Sequence, residues 1–147
     1  MTTVYNAFTK EFFFAKKNHA YLNDKKIHVS SKKKLDETTI VLSAYPKYQV
    51  DKLERIFHIL MSTGGLRLLM HSVNLNLCYV ACGRYDGLIG FYKTLPEWDK
   101  VPGFFILEKA GGVVTDFSGK AWCKDTTKFI ASNRQIHKLL LELIGGI

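Results

Sequence analysis

The chain has 147 residues, of which 47% are apolar and 13% aromatic, enough to pack one domain and to exclude disorder over most of its length. Its formal charge of +8 favours anionic partners such as phosphate esters, nucleic acid or acidic lipid. The three cysteines (Cys78, Cys82, Cys123) exclude a disulfide framework, and no apolar run reaches the ~20 residues of a membrane helix.

In chain order, Val4 to Tyr5 and Phe12 to Ala15 read as strands joined by a turn around residues 6–9. A second turn over residues 22–25 leads into Ile27-His28-Val29, and the polar stretch Ser30 to Glu37 is a connecting loop. Thr39 to Ala44 is a β-branched, apolar run of strand length, ended by Pro46. The spacing of Val50, Leu53, Phe57 and Leu60 predicts a helix from about Val50 to Met61, stopped by Gly64-Gly65. Leu66 to Met70 is a short strand. Ser72 is placed to cap a helix over Val73 to Ala81, which Gly83 ends. Cys78 and Cys82, four apart, share a face of this helix and read as buried free thiols.

Leu88 to Tyr92 reads as a strand, and Asp99 is placed to cap a helix with Pro102 in its first turn. Gly111-Gly112 closes that helix. Val113 to Phe117 and Lys128 to Ala131 are strands, with a turn over Asp116 to Gly119 between them. Asn133 caps a last helix to about Ile144. From Thr39 onward strands and helices alternate, which predicts an α/β layer arrangement: a mostly parallel sheet flanked by helices, preceded by antiparallel strands of another sheet. The division falls into residues 1–38 and 39–147.

Two constellations could carry chemistry. In the first, Asp99 stands at the start of a helix, where free amides and the helix dipole favour a carboxylate. It can act as an N-cap only, or hold a hard cation. In the second, His71-Ser72-Val73 opens a helix that offers amides and a hydroxyl to an anion, with a plain cap as the alternative. His71 by itself can equally be a structural histidine. The basic residues are spread along the chain, with short runs at Lys16-Lys17, Lys25-Lys26 and Lys32-Lys33-Lys34. There is no RNA-recognition signature and no zinc-finger spacing.

Together these segments resemble the inositol monophosphatase superfamily. Its Gly-Ser-Ala-Ala corresponds to His71-Ser72-Val73. Its Tyr-Val-Ala-x-Gly-Arg-x-Asp-Gly corresponds to Tyr79 through Gly87, its Trp-Asp-x-Ala-Ala-Gly to Trp98 through Gly103, and its Ala-Gly-Gly to Ala110 through Gly112. Val4-Tyr5-Asn6, Ala20 through Ser30 and Phe129 through Asn133 extend the likeness over nearly the whole chain, and the order and spacing are more specific than any one motif.

The resemblance implies a Mg2+-dependent phosphomonoesterase acting on a small phosphorylated polyol or nucleotide-like substrate, and the three cysteines, read as free thiols, fit a reducing, cytoplasmic setting. It implies Asp99 as a metal ligand and His71, Ser72 and Val73 at the phosphate- and polyol-contacting turn, with His71 crowding the ligand where the family has Gly. The family acid that contacts the sugar ring falls on Gly90, which weakens the expectation for inositol itself. The upstream Gly-Glu-Glu and Asp-Pro-x-Asp-Gly-Thr motifs, which carry most of the metal ligands, do not occur in these residues. The chain then corresponds to the carboxy-terminal half of the family and is expected to be inactive alone. It could be a fragment, a split-gene subunit with a complementary amino-terminal half or a homodimer, or a non-catalytic remnant. No membrane or nucleic-acid role is expected.

Overall fold

Two sheets organise the chain. The computed structural model describes residues 1–45, 47, 49–63, 66–68 and 72–147, the stretch 66–68 for its backbone course alone. The first sheet is an antiparallel meander of β1 (Thr2–Asn6), β2 (Glu11–Lys16), β3 (His19–Leu22) and β4 (Lys25–Ile27). Asn23 turns the β3–β4 hairpin with a positive φ, which Asn tolerates better than most residues, and its side chain accepts from the Phe12 amide at 2.9 Å. Strand alternation sends Phe13, Ala15, Ala20 and Ile27 to the buried side. Tyr5, Phe12, Phe14 and Tyr21 fall on the other side.

The second sheet collects β5 (Ile40–Ala44), β6 (Leu66–Leu68), β7 (Gly87–Phe91), β8 (Val113–Thr115) and β9 (Lys128–Ser132) in the order β6-β5-β7-β9-β8. Around it lie α1 (Val50–Thr63), α2 (Val73–Ala81), α3 (Val101–Lys109) and α4 (Arg134–Ile144). β5 runs parallel to β6 and β7, while β9 is antiparallel to both its neighbours, so one strand of five is reversed. The predicted mostly parallel sheet is therefore present. β9 reverses because the link from β8 contains no helix and returns the chain as a long hairpin, whereas parallel neighbours need a crossover.

Side chains on the two faces of this sheet belong to different cores. Val41, Leu88, Phe129 and Ala131 pack with α2, α3 and the inner face of the first sheet. Ile40, Leu42, Ile89 and Ile130 pack with Ile56 and Leu60 of α1 and with Ile136, Leu140 and Ile144 of α4. The layers thus run first sheet, α2 with α3, second sheet, α1 with α4. The buried stripe of α1 is centred on Ile56 and Leu60; Val50, predicted on that stripe, is exposed because it sits in the first turn, beyond the sheet's cover. The stops predicted at Pro46 and at Gly64-Gly65 lie outside the described residues.

This layering puts the two crossover helices on opposite faces of the second sheet. The chain leaves β5 for α1 on one face and leaves β6 for α2 on the other. Adjacent parallel strands whose continuations diverge open a cleft at their carboxyl ends, the usual ligand position in such sheets.

Candidate functional site

The start of α2, the end of β7 and the turn before α3 all lie at those carboxyl ends. Ser72 occupies the N-cap position of α2 and is exposed, but its side chain makes no cap hydrogen bond, contrary to the expectation from its residue type. Among the described residues no side chain caps the first turn of α2. Val73 turns its side chain into the core, which leaves only its backbone for a ligand. His71 lies outside the described residues.

Asp99 does not cap α3. It ends a short 3-10 turn, Glu97–Asp99, and Lys100 takes the N-cap position without a side-chain cap bond. The turn closes by the Asp99 amide donating to the Pro96 carbonyl at 3.1 Å, which uses the residue that would otherwise flank the helix. The carboxylate is exposed, and among the described residues it has no hydrogen bond or ion pair. Its charge reaches Tyr92: burial pushes the Tyr92 phenol up, a hydrogen bond with Ser43 opposes this, and the Asp99 charge adds to the rise. Asp99 is thereby within electrostatic range of the residues that follow β7.

One residue that sequence reasoning missed ties the two helix starts together. Asn74, in the first turn of α2, donates to the Trp98 carbonyl at 2.7 Å and accepts from the Gly103 amide at 2.9 Å. It holds the turn carrying Asp99 against the start of α2. An Asn inside a helix gives no signal of this from sequence, since its partners lie 24 and 29 residues away.

Gly90, expected where a substrate-contacting acid would stand, is buried inside β7. A Cβ there would meet the Phe129 ring at 2.2 Å, so the ring occupies the space that a side chain would need. The Gly-Arg-x-Asp-Gly segment is a scaffold. Gly83 takes φ +75° at the end of α2, and Arg84 pairs with Glu11 of the first sheet while lying over the Tyr79 ring. Asp86, buried, accepts from the Thr39 amide at 2.7 Å and from Lys32 at 2.9 Å. These contacts clamp both sheets and the 28–39 loop to the end of α2.

The profile of the inositol monophosphatase family matches residues 1–146. The chain belongs to the inositol monophosphatase family. It is 31% identical to an inositol-1-monophosphatase of Rhizobium meliloti, over 96% of this chain and 53% of the relative. It is 33% identical to the Nus factor SuhB of Pseudomonas aeruginosa, over 92% of this chain and 51% of the relative. The crystal structure of the extragenic suppressor protein suhB from Bartonella henselae superposes with a TM-score of 0.90 at 28% identity, covering 99% of this chain and 57% of that one. The chain spans about half the length of the curated relatives it matches.

Family members are generally magnesium-dependent, so the residues present can be tested for fit. Among the described residues no group of three or more His, Cys, Asp or Glu could hold a metal ion. Asp99 offers one exposed carboxylate, whereas a hard divalent cation needs several oxygen ligands. The described residues therefore do not make a magnesium site by themselves.

Proposed function

We propose that this chain supplies one half of a magnesium-dependent phosphomonoesterase site: Asp99 as a single metal carboxylate, and the start of α2 with Ser72 as the anion-contacting wall. The observation that carries this reading is the Asn74 bridge, which holds an unpaired carboxylate and an uncapped helix start at one end of the sheet. Two plain caps would have no reason to be tied together. Bound magnesium would neutralise phosphate and activate water; this chain's residues would place the phosphate and hold one ligand charge. The remaining carboxylates would come from polypeptide corresponding to the other half of the relatives, in a cytoplasmic, reducing setting consistent with three free cysteines.

The test is turnover of inositol 1-phosphate and of a chromogenic phosphoester with and without EDTA. The chain alone is expected to show none. Co-expressed with the amino-terminal half of the Rhizobium meliloti relative, it is expected to give EDTA-sensitive turnover. Asp99→Asn should then reduce that turnover at least ~100-fold, with little loss of stability because the side chain is exposed. EDTA-sensitive turnover by the isolated chain would overturn the half-site reading. A non-catalytic binding role, the second reading, draws on the relative named as a Nus factor; it is favoured if the paired halves form a complex that stays inactive.

A further inference from the structure

The face of the second sheet that meets α2 and α3 is apolar along most of its length, with Val41, Leu88, Phe129 and Ala131 in one core. Towards the carboxyl ends of β5 and β7 its character changes. Strand alternation puts Ser43 on the same face as Val41, and it is buried there. Ser43 stands in register with Gly90 of β7, which has no side chain and whose space the Phe129 ring fills. The next residue of this face after Gly90 is Tyr92. Its amide donates to the Thr127 carbonyl at 3.1 Å, and its ring packs against the same core. Tyr92 is therefore the first side chain that β7 presents on this face after Leu88. The Tyr92 and Ser43 hydroxyls are hydrogen-bonded to each other, from one strand to the next.

A third polar group belongs to the same layer. Asn76 of α2 is fully buried, and among the described residues neither its amide nitrogen nor its carbonyl oxygen has a hydrogen-bond partner. It shares a helix face with Val73, three residues before it, and Val80, four after it, both members of that core. Helical side chains lean toward the amino end, so the Asn76 amide lies over the turn that Ser72 begins. A buried amide left without partners is costly and marks a place where a water or a ligand atom belongs. Asp99, whose turn Asn74 ties to the start of α2, lies within electrostatic range of the Tyr92 hydroxyl. A hydroxyl pair, an unspent amide and an unpaired carboxylate thus gather at one end of one sheet face.

We propose that Tyr92 is the substrate-contacting, specificity-determining residue of this half-site. Ser43 donates to the phenol oxygen and fixes the ring. The phenol proton then goes to an oxygen of the phosphate ester seated at the start of α2, above the unspent amide of Asn76. An uncharged phenol can donate to an ester oxygen that a carboxylate in its place would repel. The proposal rests on the phosphatase reading above and deepens it.

The experiment is an NMR titration of the full chain, carbon-13 labelled in its tyrosine rings, with inositol 1-phosphate. The Tyr92 ring signals are identified by their absence from Tyr92→Phe. They are expected to move together with the Val73 and Asn74 amides along one binding curve. Tyr92→Phe should weaken the ester about fivefold, the worth of one hydrogen bond, with an unchanged far-UV spectrum. Ser43→Ala should weaken it by a smaller factor, and by nothing further in the Tyr92→Phe background, where a merely structural loss would still appear. No binding, a Tyr92 ring that stays still while other residues move, full affinity in Tyr92→Phe, or an equal Ser43→Ala effect in both backgrounds would each overturn the proposal. If the ester binds as expected while the paired halves give no EDTA-sensitive turnover, the phosphatase reading falls and Tyr92 remains an ester contact. If the paired halves turn over the ester and Tyr92→Phe leaves both kcat and KM unchanged, the Tyr92 proposal falls and the phosphatase reading stands.

Discussion

His137 shows how one residue can carry a pH dependence that no motif announces. It lies in α4, 4% exposed, with Nε2 at 2.9 Å from the Thr115 hydroxyl and Nδ1 at 3.4 Å from the Ser132 hydroxyl. Burial pushes its pKa from the ordinary 6.5 down to about 4, so the folded chain keeps it neutral where the unfolded chain takes a proton. Stability from this group is fully present above pH 6.5, falls as pH drops from 6.5 towards 4, and is level below that. Between pH 7 and 5 the loss comes to ~2 kcal/mol. Urea unfolding of wild type and His137→Gln at the two pH values measures it: the variant should lose most of the difference. An equal pH effect in both proteins would remove His137 as its cause.

At the scale of elements, α2 and α3 decide the site, because they carry its two helix starts and pack tightly against each other at Gly103. Gly103 allows it: a Cβ there would lie 2.6 Å from Leu77 Cδ1, 2.7 Å from Leu77 Cβ and 3.0 Å from Asn74 Oδ1. Gly103→Ala should help the helix by up to ~1 kcal/mol through propensity but cost ~1–3 kcal/mol through overpacking. The expected outcome is a net loss of stability together with weakening of the Asn74 bridge to the Gly103 amide. Thermal unfolding reads the first. Amide exchange at Gly103, faster than in wild type, reads the second. A more stable variant with unchanged exchange would show that the helices can part without disturbing the site.

Over the whole molecule, the first sheet buries one face and shows aromatics on the other. Tyr5 pairs with Phe12 at 6.4 Å between ring centroids, Phe12 with Phe14 at 5.4 Å, and Phe14 stacks on Tyr21 at 4.9 Å. Tyr5 is 58% exposed, Phe12 40% and Phe8, in the adjoining turn, 100%. An aromatic stripe running across three strands and bordered by β1, an edge strand, favours association. Phe8→Ser with Phe12→Thr should lower the binding of a hydrophobic dye and raise the monomer fraction seen by light scattering. Stability should change by no more than ~1 kcal/mol, since neither ring is buried. Unchanged dye binding would place the exposed apolar surface elsewhere.

The sequence by itself determined the order of the strands and helices, the antiparallel first sheet, the family and the identity of Asp99 as the one carboxylate matching a metal-ligand motif. These follow from short-range signals: alternation in β2, the apolar face of α1 and the Asn133 cap, whose side chain accepts from the Gln135 and Ile136 amides as predicted. Ser72 stands at the N-cap position of α2 as its residue type predicts, though without a side-chain cap bond, whereas Asp99 does not cap α3. Capping depends on local φ and ψ, and the 3-10 turn over Glu97–Asp99 takes the backbone that an Asp99 cap would need. Only the tertiary structure decided the Asn74 bridge, the burial of Lys100 between two carbonyls and the filling of the space at Gly90 by Phe129. Each of these joins residues from separate elements, and whether a polar or small residue there is a packing device or a site depends on which side chain the other element brings against it.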